Sequence, residues 1–141
     1  MNSRLKRYGD SALIYSILAM GGGVFFREFT KFNDFTGETM LSVIHTHYFV
    51  LGVLGSLLLL LFRKSFNMDE KKLWKHEIVF HVGLNATVFL MLIRGTLQVL
   101  EVPLGKGADA AISGIAGLGH IVLGVAIVLV ILDIGKSLSR E

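Results

Sequence analysis

Residues 112–134 read ISGIAGLGHIVLGVAIVLVILDI, a run interrupted only by His120 and, at its edge, by Asp133. An α-helix advances about 1.5 Å per residue, so crossing a hydrocarbon core of about 30 Å takes about 20 mostly apolar residues. This stretch meets that requirement, and so do Asp10–Arg27, Leu41–Phe62 and Ile78–Leu100. The four runs take more than half of the 141 residues, which leaves no length for a separate soluble domain. The expected fold class is all-α: an integral membrane four-helix bundle, one domain, with spans of about 10–27, 41–62, 78–100 and 112–134. Its immediate surroundings would be the lipid bilayer.

The charges fall between these runs. Arg4, Lys6 and Arg7 precede the first, while Arg63, Lys64, Lys71, Lys72 and Lys75 separate the second from the third. Lys136 and Arg140 follow the fourth. The opposite side holds only Arg27 and Lys31 in one loop and Lys106 in the other. Lysine and arginine accumulate on the cytoplasmic side of membrane proteins, so both termini and the middle loop are expected there, in the cell membrane. A net charge of +3 is explained by this distribution and gives no case for nucleic acid. The first run ends Gly21-Gly22-Gly23-Val24-Phe25-Phe26-Arg27 without a small-x-small cleavage pattern, and reads as a retained helix.

Phe25, Phe26, Phe29, Phe32 and Phe35 recur at near-helical spacing after the first run, as an interfacial aromatic belt would. The single proline, Pro103, lies beyond the third run, so no proline kink is expected within a span. Small residues let helices approach closely in lipid. Ala12, Ser16, Ala19 and Gly23 mark such a face on the first helix, Gly52 and Ser56 on the second, and Ser113, Gly117 and Gly124 on the fourth. This much small-residue surface also points to a homo-oligomer.

All five histidines lie in or beside the spans: His45, His47, His76, His81 and His120. Ionisable side chains are costly in hydrocarbon and mark candidate sites there. Counting about 1.5 Å per residue from the cytoplasmic helix ends puts His45, His47 and His120 at ~25, ~22 and ~20 Å, with His81 at ~8 Å. The first three therefore share a layer. His120 lies on the Ser113, Gly117 and Gly124 face, and His45 shares a face with Gly52 and Ser56, so both are expected to look inward. His47, about 200° from His45 around a regular helix, is expected on the flank or in a second position.

Two inward imidazoles at one depth on two helices suit a b-type haem held between the second and fourth helices, since bundle cores host cofactors between facing helices. Arg94, with Gln98 and Arg27 as further candidates, would meet the propionates. Electron transfer or haem and gas sensing would follow, the former with a redox partner protein. His81, one turn from Asn85, is expected to hydrogen-bond to a neighbouring helix, with a second ligand site as the alternative.

The segment Ile44-His45-Thr46-His47-Tyr48-Phe49-Val50-Leu51-Gly52 resembles the second helix of the catalytic subunits of haem-copper oxidases and nitric oxide reductases. That resemblance implies His45 as an axial haem ligand. The chain lacks the many helices and the copper-site histidines of those enzymes, and no catalytic activity is assigned to it. Over its whole length it resembles a bacterial family of small four-helix membrane proteins of unknown function.

Other readings compete. His45 or His47 with His120 could hold a metal ion for binding or transport, although Met20, Met40 and Met91 form no cluster and Glu38 is the only nearby carboxylate. A cofactor-free structural or assembly subunit is a third class. A proton-coupled exporter would want an embedded carboxylate, and Asp10 and Asp133 sit at the margin instead.

The charge distribution makes a topological prediction. Reporters fused to the N-terminus, the 66–75 loop and the C-terminus should all read cytoplasmic, and one placed at Gly105–Ala110 should be labelled from outside. A Gly105–Ala110 reporter shielded from an impermeant reagent added outside would reverse the assignment.

Overall fold

The computed structural model describes residues 3–66 and 70–139, excluding the side chains of Ser3, Arg4, Glu70 and Lys71. Arg140 and the side chains of Arg4 and Lys71, counted above among the orienting cations, lie outside the described residues. Every regular element among the described residues is helical, with α1 at Ser3–Phe32, α2 at Leu41–His47, a π-helical segment at Tyr48–Leu54, and α3 at Gly55–Ser65. Helix α4 follows at Glu70–Val99 and α5 at Lys106–Leu138. α2, the π segment and α3 run on as one span, so four helices are each long and apolar enough to cross a membrane.

The helices outrun the apolar stretches that define them. α1 has 30 residues and α5 has 33, about 45 and 50 Å at the usual rise. A helix satisfies its own backbone polar groups, so nothing obliges it to stop where hydrocarbon ends. The extra turns place Tyr8, Glu77 and Asp109 on helices rather than in loops.

The second span buries Leu41, Ile44, Tyr48, Gly52, Ser56 and Leu59, a stripe of three- and four-residue steps. This stripe faces α1 and α4. At Gly52 an added Cβ would lie 2.5 Å from Tyr15 Cγ, so only glycine lets the Tyr15 ring lie against this backbone. The widened π turn, with Ser56 Oγ donating to Gly52 O at 2.6 Å, sits where that ring presses in. The buried small face expected on α1 is present in Ala12 and Ala19.

α4 is in contact on two sides. Towards the second span, an added Cβ on Gly95 would stand 2.6 Å from Leu41 N, and Thr39 Oγ1 donates to Gly95 O at 2.9 Å. Towards α5, a Cβ on Gly83 would stand 2.9 Å from Leu123 N. Helix α5 buries Gly119, Leu123, Ala126, Val130 and Ser137 and packs chiefly on α4.

This corrects the expected α5 face. A Cβ on Gly117 or Gly124 meets nothing, and Ser113, Gly117, His120 and Gly124 are exposed. The glycine that brings α5 close is Gly83 on its neighbour, with Gly119 beside Thr87. Because α5 leans on α4, an apolar groove of about 320 Å3 stays open between α5 and the second span, with Phe80 of α4 among its lining residues.

Packing generates the second prediction. Gly83→Ala and Gly95→Ala should each destabilise the protein by about 1–3 kcal/mol, the cost of overpacking a tight contact. Gly117→Ala should be neutral or slightly stabilising, as alanine favours helix over glycine by up to about 1 kcal/mol. Thermal unfolding in detergent measures all three, and equal midpoints would contradict the assigned contacts.

Candidate functional site

The second span and α5 meet through two imidazoles. The His47 and His120 ring centroids are 6.2 Å apart, with planes at 86°. His47 Nδ1 lies 2.9 Å from Val43 O, and His120 Nδ1 lies 2.9 Å from Ala116 O, each the carbonyl one turn back in its own helix. A carbonyl only accepts, so each Nδ1 carries the proton and each neutral ring keeps its lone pair on Nε2. Among the described residues, neither Nε2 has a hydrogen-bond partner. A backbone carbonyl holding one nitrogen while the other stays free is the arrangement of a metal-binding histidine.

Sequence spacing selected the layer correctly and the partner incorrectly. His45 was expected to face His120, and the structure brings His47 there instead. The two histidines do lie on opposite flanks of the buried stripe. His45 follows Ile44 and lies against α1, where an added Cβ on Gly23 would be 3.7 Å from His45 Cβ. His45 Nε2 approaches Thr46 Oγ1 at 3.4 Å, and its Nδ1 is buried without a partner.

The remaining candidates divide. Arg94 donates to Ser113 Oγ at 2.7 Å and pairs with Asp109 at 3.1 Å. Ser113 lies seven residues before His120, so Arg94 sits about two turns from the imidazole pair, towards the N-terminus of α5 and on the same face of that helix. Gln98 accepts from Met40 N at 2.8 Å and is occupied in holding the start of α2. Arg27 is exposed beside Glu28 at 3.5 Å, far along α1. His76 contacts Asp133 of α5 at 2.5 Å and joins the N-terminal part of α4 to the C-terminal part of α5.

His81 hydrogen-bonds across to another helix, as its spacing from Asn85 suggested. Tyr15 Oη lies 2.7 Å from His81 Nδ1. Asn85 Nδ2 donates to Tyr15 Oη at 3.1 Å and to His81 O at 2.8 Å, and Tyr48 Oη donates to Asn85 Oδ1 at 3.1 Å. Below it, Tyr8 donates to Glu77 and accepts from Arg63 Nη1 at 2.9 Å. Sequence reading missed the three tyrosines because apolar runs conceal a phenol that is buried by its ring and bonded by its tip. Their shared side of α1, Tyr8 and Tyr15 at a seven-residue interval, was the available signal.

The chain belongs to a family of proteins of unknown function, DUF2871, whose model matches residues 5–137. No curated protein and no solved structure matches it.

The polar network makes the third prediction. Asn85→Leu strands the Tyr48 hydroxyl and removes a donor to Tyr15, and should destabilise the protein by about 1–3 kcal/mol. Helicity during thermal unfolding in detergent measures it; a variant as stable as the parent would show that the network contributes nothing to packing.

Proposed function

We propose that the protein is a multi-pass membrane protein with cytoplasmic termini, and that it binds a b-type haem between the second span and α5. The axial ligands are His47 and His120, and the function is electron transfer. The observation that carries this reading is the pair of rings from two helices 6.2 Å apart, each held through Nδ1 with no partner on Nε2 among the described residues. Imidazoles on opposite sides of a metal, each bound at about 2.0–2.1 Å, have ring centroids roughly 6.3 Å apart; the centroids here are 6.2 Å apart.

Three further features support a haem over a bare ion. Two imidazoles alone leave a bare ion short of donors, and among the described residues no three metal-binding side chains come together. The apolar groove begins at Val50 and Leu51, one turn from His47, and reaches Ile127, two turns from His120. Its walls suit a porphyrin and lie on the same side of α5. Arg94 stands outward of the pair, where it could meet a propionate by exchanging its contact with Asp109. Filling both axial positions with protein leaves none for a gas, which favours electron transfer over sensing.

The test is the absorption spectrum of detergent-purified protein made with haem supplied. The parent should show a Soret band and sharp low-spin visible bands on reduction. His47→Ala and His120→Ala should each abolish the low-spin bands, while His45→Ala and His81→Ala should keep them, and Arg94→Ala should lose haem faster without changing its ligation. Loss with His45→Ala but not with His47→Ala would overturn the ligand assignment. A parent without a Soret band would overturn the haem.

A further inference from the structure

A second cavity lies on the opposite side of α4, between α1 and α4 near their inner ends. It holds about 290 Å3 and is lined by Tyr8, Ser11, Ile14, Trp74, Glu77 and His81 together with two charged side chains, Arg7 and Asp10. The haem reading makes no use of it. We propose that this cavity binds the headgroup of a lipid-soluble quinone.

The argument starts from one proton. Tyr15 has a single hydroxyl hydrogen. Asn85 Oδ1 accepts from Tyr48, so its amide nitrogen is the end that faces both His81 O and Tyr15 Oη. The reverse orientation would set Oδ1 against a carbonyl. Tyr15 therefore accepts from Asn85 and directs its own hydrogen to His81 Nδ1 at 2.7 Å. A neutral His81 whose Nδ1 accepts must carry its proton on Nε2. No group among the described residues accepts that proton. The side chain lines the cavity, so the network presents one N–H donor there, held in a fixed tautomer.

The walls describe what would accept it. Tyr8 and Trp74, the latter with Arg7 Cζ 4.2 Å over its ring, supply aromatic surface, and Ile14 an aliphatic one, which suits a planar ring. Glu77 is 3% exposed, and with Asp10 it sets two carboxyl groups against the one cation, Arg7, in the lining, which disfavours an anionic guest. The cavity opens between two helices at the margin of their apolar spans. Beside it, Ile14 and Ile17 of α1 and Ile78 and Val82 of α4 are 57%, 58%, 43% and 61% exposed. A ligand arriving from the lipid along these side chains would carry an apolar tail. An uncharged, planar, carbonyl-bearing head on an apolar tail is the quinone class. The volume fits one substituted six-membered ring, near the lower end of ordinary ligand pockets.

The single tryptophan of the chain, Trp74, lines this cavity, so its emission reports occupancy directly. Decylubiquinone would be titrated into the purified full-length protein without added haem, which separates this test from that of the haem. Saturable quenching is expected. His81→Leu should raise the half-saturating concentration about tenfold, the effect of one lost hydrogen bond to a buried acceptor. Ser11→Phe, which fills the cavity from α1 and leaves the His81 network intact, should remove the saturable phase. Decanol at the same concentrations should leave the emission unchanged. Circular dichroism and gel filtration confirm that each variant is folded. Quenching that rises linearly and equally in parent and both variants would mean partition into the micelle and overturn the site. Saturable quenching untouched by both substitutions would place the ligand elsewhere and overturn it equally.

Discussion

Two backbones lie against glycines of α4. Leu41, at the start of the second span, rests on Gly95, and Leu123 of α5 rests on Gly83. In lipid there is little hydrophobic gain in bringing helices together, so such close contacts, with their dispersion and interhelical hydrogen bonds, supply much of the association. The two glycines are twelve residues apart in sequence and face different neighbours. α4 thus holds the second span at one height and α5 at another, and both apolar and polar sites result from how those neighbours are displaced.

The groove and the imidazole pair follow from that geometry. α5 lies on α4 and leaves a gap beside the second span, with His47 and His120 bridging the outer end. Each ring is held by a carbonyl of its own helix, so its direction is set before any ligand arrives. A free imidazole nitrogen facing hydrocarbon is costly, and the metal of the proposed haem would satisfy both at once. On the other side of α4, polar side chains do the reverse. Tyr8, Tyr15, Tyr48, Asn85, Glu77 and His81 spend most of their hydrogen-bonding capacity on one another and join α1, α4 and the second span.

The four helices were legible because apolar length is a direct physical requirement for crossing hydrocarbon. Their ends were not, because a helix carries its hydrogen bonds past that boundary, as Tyr8 and Asp109 show. The small face of α1 was readable from Ala12 and Ala19, and the pairing of His81 with Asn85 from their spacing. The face of α5 was misread because glycines were taken to mark their own helix's contact. At Gly117 and Gly124 they face outward, whereas the approach depends on Gly83 across the interface. His45 was assigned inward by projecting a regular helix through Gly52 and Ser56. The π turn at Tyr48–Leu54 breaks that projection, and no proline or other sequence mark announces it. Arg94's partner was hidden for a simpler reason: Asp109 was read as loop, and α5 already begins at Lys106.

The near-perpendicular rings offer the most direct test of the central claim, because ring orientation is visible in the electronic structure of a bis-imidazole ferric haem. With the planes at 86°, the electron paramagnetic resonance spectrum of the oxidised, haem-loaded protein should show a highly anisotropic low-spin signal dominated by one large g value. A high-spin signal, or none attributable to bound haem, would contradict ligation by His47 and His120.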